Sequence, residues 1–389
     1  MLQMLAFNDA RPGCSSIADT PRRALRAPLV LALVSIALSG CGERKPDPPT
    51  PAQVRARVLG LLPATLPDRK DWAADIQASF AALELDPTVS NLCAVLAVTE
   101  QESTYTPDPE VPGLAKIARA EIDRRAQRLN IPALVVTAAL RMKSPDGRSW
   151  EDRIARVRTE KQLNTIFEEL IDEVPMGRKL FAGANPVRTG GPMQVSIAFA
   201  ERHARDRPYP FPMAGSVREE VFTRRGGMYF GIAHLLGYRV SYNSKLYRFA
   251  DFNAGWYASR NAAFQHAVSV ASGIPLDLDG DLIRHDARDA NDIGQTEVAT
   301  RVLARRWDVS DAQVRRALSR AHRFDFEQTD LYRQVFEAAE RTAGGPLARA
   351  RVPQILLQSP KITRKLTTQW FATRVDRRYR ACLERGTRG

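Results

Sequence analysis

One stretch of sequence limits what this chain can become. From Val89 to Thr104 the residues follow helical spacing, and Leu92-Cys93-Ala94-Val95-Leu96-Ala97-Val98 leaves that helix apolar on nearly every side. A helix without a polar face has nothing to offer water, so it belongs at the centre of a core with other elements packed round it. Asp86-Pro87-Thr88 breaks the chain before it and offers Asp86 or Thr88 as a cap. Tyr105-Thr106-Pro107-Asp108-Pro109 stops it. The helix ends on Glu100-Gln101-Glu102-Ser103, so two carboxylates emerge from an apolar wall. A carboxyl in apolar surroundings keeps its proton to higher pH, the property a general acid needs near neutrality. Spacing alone does not choose between Glu100 and Glu102.

The rest of the chain supplies packing partners. Apolar residues recur at helical intervals over 51–62, 72–83, 114–142, 148–174 and 195–203, then over 228–236 and 261–272. Amphipathic patterns continue at 297–306, 311–322, 330–343 and 367–380. Alternating β-branched runs are few, so the expected class is mainly α. Gly273-Ile274-Pro275 marks a boundary, and the more basic stretch 276–389 reads as a helical C-terminal region, either a small appendage or more of the same domain. Asp277-Leu278-Asp279-Gly280-Asp281 has the start of a calcium loop. Leu282 and Arg288 occupy the positions that need Gly and Glu, so a polar turn is expected instead.

The N-terminus speaks to the compartment. Arg22, Arg23 and Arg26 precede an apolar run, Ala27 to Ser39, too short to span a bilayer comfortably. A charged region, a short apolar region and small residues at the end describe an export signal over 1–40. Its ending, Leu38-Ser39-Gly40-Cys41, resembles the lipobox of bacterial lipoproteins, which implies acylation of Cys41. The following residue is Gly42 rather than Asp, which by the same resemblance implies sorting to the outer membrane. Residues 41–52 are polar and Pro-rich, the composition of a semi-rigid tether. The expected location is therefore the cell envelope, with membrane attachment through an N-terminal lipid.

With Cys14 in the signal and Cys41 acylated, Cys93 and Cys382 remain. They pair in an oxidising compartment, or Cys93 is simply a small buried side chain; spacing does not decide. There is no CxxC and no HExxH, and the five His are scattered, so no metal and no cofactor is expected. The formal net charge is +13. The export signal carries four Arg against two Asp, so the mature chain stays strongly basic. Outside the cytoplasm that charge argues against nucleic acid and for envelope anions such as peptidoglycan carboxylates and lipid phosphates, or for a plain solvated coat.

Three separated segments carry the chemistry. Val98-Thr99-Glu100-Gln101-Glu102-Ser103-Thr104-Tyr105 resembles the signature of the lytic transglycosylases, in which the catalytic Glu directly precedes Ser at a helix end. Gly191-Pro192-Met193-Gln194 resembles their Gly-Leu-Met-Gln segment, and Phe249-Ala250-Asp251-Phe252-Asn253-Ala254-Gly255 their aromatic-Asn-Ala-Gly stretch. The likeness covers roughly 90–270 and extends to goose-type lysozyme-like domains and to a family of uncharacterised Gram-negative lipoproteins. It implies a lysozyme-like helical domain over 53–275 with an insertion at about 110–185. It also implies Glu102 as the single general acid and base, and Ser103, Met193, Gln194, Phe252, Asn253 and Gly255 along a groove for peptidoglycan. One carboxylate suffices in that class because a substrate acetamide supplies the nucleophile, unlike the usual two-carboxylate scheme. The family usually has Tyr where Phe252 stands, and Phe lacks the hydroxyl that would orient the acid. Tyr242, Tyr247 and Tyr257 are the candidates to replace it. The competing expectation is an inactive lysozyme-like lipoprotein that binds peptidoglycan or an envelope protein partner.

Overall fold

The computed structural model describes residues 47–173, 176, 179, 185–213, 215–284, 292–357 and 365–387. Cys41, the export signal and most of the tether lie outside these residues. The chain divides into Met1–Pro48 and a compact unit, Pro49–Gly389, which alone is described below. That unit contains the whole of both hydrophobic clusters and a disulfide, so it has what it needs to fold by itself.

The unit is mainly helical. The first part comprises α1 (Pro51–Leu61), α2 (Arg69–Ala82) and α3 (Val89–Ser103), followed by α4 (Leu114–Arg128), α5 (Ala133–Arg141), α6 (Trp150–Ala155) and α7 (Glu160–Asp172). After the hairpin β1 (Thr189–Gly190) and β2 (Val195–Ser196) come α8 (Ile197–Asp206), α9 (Val217–Val221) and α10 (Arg224–Leu236). Then follow α11 (Lys245–Ala254), α12 (Ala258–Ser272), α13 (Gln295–Ala304), α14 (Asp311–Leu318) and α15 (Asp330–Ala343). A second hairpin, β3 (Leu356–Leu357) with β4 (Leu366–Thr367), leads into α16 (Thr368–Thr387). Both hairpins are antiparallel, with Thr189 opposite Ser196 and Leu356 opposite Thr367.

The apolar helix is central, as its composition requires. Thr88 caps α3 by accepting a hydrogen bond from the Asn91 N–H, and Leu92 through Val98 are all buried. Each such Leu or Val contributes on the order of 1.5–3 kcal/mol by leaving water. α16 packs along α3 and α11, and α2 packs on α1 and α10. A buried carboxylate ties the last pair: Asp75 on α2 receives Arg224 Nε at 2.7 Å and Arg225 Nε at 2.9 Å from α10.

The two long helices expected at 114–142 and 148–174 are four shorter ones. Asn130 adopts a left-handed φ of 55° and Pro132 follows it, which ends α4 and starts α5. Thr159, in a capping box with Gln162, restarts the chain as α7. The boundary expected at 273–275 is also different. Gly273 ends α12 in a left-handed cap, but the chain beyond it packs straight back. α13, α14 and α15 build a second cluster on α12, centred on Phe264, Phe326 and Phe336. α16 then returns to the first cluster through Phe371, Ala372 and Val375. Residues 276–389 are therefore part of the same compact unit as 53–275.

Candidate functional site

A cleft of about 930 Å³ brings the three sequence segments together. Glu102 lies on its wall with Gln194, Phe252, Asn253 and Gly255. Glu100 does not: it turns to the opposite side and forms an ion pair with Arg378 on α16 at 3.3 Å. The two carboxylates that spacing left equivalent are thus separated.

Unusual backbone marks each segment. α3 ends with Thr104 and Tyr105 at φ 51° and 60°, both left-handed and neither glycine. Such residues cost of order 1 kcal/mol or more and persist when the surroundings hold them. Here Tyr105 is buried, donates its hydroxyl to the Leu96 carbonyl at 3.1 Å and meets Trp72 edge-on. The sharp end of α3 directly follows Glu102 and Ser103. Gln194 is also left-handed, at φ 48°. Its side-chain amide donates to the Gly191 carbonyl at 3.2 Å, and its oxygen accepts from the Thr189 hydroxyl at 3.2 Å. Gly191 must be glycine, since φ is 72° and a Cβ would stand 2.1 Å from the Val221 carbonyl oxygen. Gly255 at φ 109° ends α11 and turns the chain along the cleft.

The remaining site residues take supporting places. Met193 is fully buried behind Gln194, against α10, where a Cβ on Gly231 would stand 2.5 Å from its Sδ. It packs the wall and is not among the residues lining the cleft. Ser103 is buried as well, and its hydroxyl donates to the Thr99 carbonyl at 3.0 Å. Asn253 accepts a hydrogen bond from the Thr368 hydroxyl at 3.0 Å, so the start of α16 braces the third segment. Cys93 and Cys382 form a disulfide with Cα atoms 5.5 Å apart, the separation such a bond requires.

The three tyrosines do not stand in for a hydroxyl at Phe252. Tyr242 and Tyr238 both donate to the buried carboxylate of Asp251, which also accepts from the Ser259 N–H at 2.7 Å. Burial raises the Asp251 carboxyl above its ordinary pKa. Tyr257 lies under the Arg260 guanidinium at 4.3 Å, and Tyr247 meets Tyr242 edge-on. Among the described residues none of the cleft's lining side chains is tyrosine.

What the cleft offers instead joins Phe252 to aromatics that were not singled out in the sequence. Phe252 packs on His234 (ring centroids 5.0 Å), His234 on Phe199 (4.7 Å), and Phe199 on Trp256 (5.4 Å). These rings form an aromatic wall of the cleft. Burial, with help from Arg202, lowers the His234 pKa to about 4, so the imidazole is neutral at ordinary pH. Its Nδ1 has no hydrogen-bond partner. Arg202, His203 and Asp206 of α8 line the cleft too. The far side comes from Asn261, from the turn Gly280–Ile283 and from Leu318 to His322. That turn is held by Asp279, whose Oδ1 accepts from Gln265 Nε2 at 2.7 Å and from the Asp281 N–H at 2.9 Å. Scattered lone aromatics carry no spacing signal, which is why this wall was not found from sequence. Among the described residues no cluster of His, Cys, Asp and Glu has the arrangement of a metal site.

Comparison with known proteins gives a consistent assignment. Residues 65–385 match the family described as "Protein of unknown function (DUF1615)". The chain is 54% identical over 356 residues to "Uncharacterized protein YaiW" of Escherichia coli (strain K12), covering 90% of this chain and 96% of that protein. No solved structure matches it. The matched segment takes in every element from α2 to α16 that builds the cleft, and the chain belongs to the DUF1615 family.

Proposed function

We propose that the chain is an outer-membrane lipoprotein whose lysozyme-like helical unit acts on peptidoglycan glycan strands in the manner of a lytic transglycosylase. The observation that carries this reading is the convergence of Glu102, Gln194 and Phe252–Gly255 on one cleft from three distant parts of the sequence. Glu102 protonates the glycosidic oxygen between the two amino sugars. The carboxylate it leaves behind then takes the proton of the muramyl 6-hydroxyl as that oxygen closes on C1, giving a 1,6-anhydro end. Gln194 and Asn253 offer amides to the acetamide and hydroxyl groups, and the aromatic wall offers a stacking surface.

A second reading, a unit that binds glycan without cutting it, is favoured by one specific observation. Phe252 has no hydroxyl, and Tyr238 and Tyr242 are committed to Asp251. Digestion of purified sacculi with the soluble chain from Gly42 onward separates the two. The cleaving reading expects 1,6-anhydro muropeptides by mass spectrometry, lost in Glu102→Gln by a factor of about 100 or more, as for removal of a general acid. Sacculus binding without any anhydro product would support the binding reading. For the anchor, labelling with palmitate is expected to mark the parent and not Cys41→Ala; an unlabelled parent would count against acylation.

A further inference from the structure

The insertion carries a second surface. Of the nine residues of α5 only Thr137 and Arg141 are polar. Val136 and Leu140 point inward and are buried. The opposite face is just as apolar yet stands in water: Leu134 is 80% exposed, Met142 65%, and Leu129 in the preceding turn 69%. Ile131 and Val135 are exposed beside them. On a helical projection 131, 134, 135, 138 and 142 share a sector of roughly 100°, the width of a face that packs on something. An apolar patch of this kind marks an interaction site rather than ordinary surface.

The charges around the patch identify what it fits. Arg128, Arg141 and Lys143 flank it, and from Arg124 to Pro145 the sequence has no acidic residue. Arg124 and Arg125 pair with Glu121, one turn further from the tip. Arg141, 72% exposed, pairs with Glu151 at 3.8 Å. Apolar side chains on a segment that carries cations and no acid match acyl chains beneath anionic headgroups. Nine residues make a helix about 13 Å long, far short of the roughly 30 Å hydrocarbon layer. α5 therefore lies along an interface and does not cross it.

We infer that the α4–α5 tip is a membrane-binding patch. Leu129, Ile131, Leu134, Val135 and Met142 enter the headgroup and acyl boundary of an anionic bilayer, and Arg128, Arg141 and Lys143 sit on its phosphates. This attachment is independent of Cys41 and of the chemistry in the cleft. Together with a lipid anchor it gives the two signals that stable peripheral attachment needs.

The test is flotation of the unit Pro49–Gly389, which has no acyl chain, with vesicles of phosphatidylethanolamine and phosphatidylglycerol and, separately, of phosphatidylcholine alone. The parent is expected to float with the anionic vesicles and to be released by salt. Leu134→Asp/Met142→Asp is expected to cut the bound fraction by about tenfold or more, and Arg141→Glu/Lys143→Glu severalfold with a flatter salt dependence. All four side chains are exposed, and an unchanged thermal transition verifies that the fold is kept. Absence of the parent from the anionic vesicle fraction would overturn the inference, as would equal flotation of the Leu134→Asp/Met142→Asp variant. Self-association lost in that variant, with no vesicle binding by the parent, would reassign the patch to a second copy of the chain.

Discussion

At His234 the fold alters the chemistry of a side chain that lines the cleft. Enclosed by Phe199, Phe252 and Trp256, and near Arg202, it resists protonation down to about pH 4 from an ordinary value of 6.5. The folded pKa is depressed, so the neutral form is the one the fold accepts. No stability is lost above pH 6.5. As pH falls from 6.5 towards 4 the unfolded chain takes a proton that the folded chain refuses, and stability drains across that window. At 1.36 kcal/mol per pKa unit the loss is on the order of 3 kcal/mol. His234→Phe keeps a ring of similar size and removes an unpaired buried nitrogen. Denaturant unfolding at pH 7 and pH 4 should show the parent losing about 3 kcal/mol more than the variant; parallel losses would refute this account of the site. The same scale explains what could be read beforehand. Glu102 stood out because Ser103 and a helix end fixed its context in one short stretch. Met193 resembled a groove residue by position, yet Gly231, distant in sequence, opens the space that buries it. His234 had no local pattern that gave it a role, because its environment is assembled from α8, α11 and the turn after α11.

At the scale of elements, the pairing of α3 with α16 organises the unit. Thr88 and the apolar run made α3 legible, and the amphipathic spacing made α16 legible. Their contact was not, because 289 residues separate the two cysteines that join them. Cys93 and Cys382 are both buried, so Cys93→Ala/Cys382→Ala leaves little polar consequence and tests the bond itself. The double variant is expected to lose about 2–4 kcal/mol, the usual range for a native disulfide. Hydrogen exchange should show the α16 amides opening first, since the helix then keeps only non-covalent ties, among them its packing on α1, α3 and α11 and the Glu100–Arg378 and Asn253–Thr368 contacts. Unchanged stability together with unchanged exchange in α16 would mean the packing alone holds it. The insertion gave the opposite lesson. Asn130 and Pro132 announce a break within the apolar spacing of 114–142, and the break won because a proline supplies no donor and forces its predecessor out of the helix.

Over the whole molecule, the helical class followed from periodicity, whereas the division at 273–275 did not hold because a left-handed glycine cap ends a helix without ending a core. Phe264 on α12 meets Phe326 and Tyr332 from beyond the break, and Arg260 on the same helix donates to the Arg323 carbonyl at 2.9 Å. Further on, Phe371 and Val375 close the first cluster over α3. A chain ending at Ile274 would expose all of these surfaces at once. With about 1.5–3 kcal/mol for each large apolar side chain returned to water, a handful of them exceeds the 5–15 kcal/mol that holds a typical domain together. The truncated chain is therefore expected to keep helical circular dichroism, to bind a hydrophobic dye and to unfold without a cooperative transition, as a loosely packed state does. It would also lose the Gly280–Ile283 and Leu318–His322 side of the cleft, so glycan binding should fall with it. A sharp thermal transition in the truncated chain, with sacculus binding intact, would instead establish 49–274 as a domain that needs nothing from the C-terminal helices.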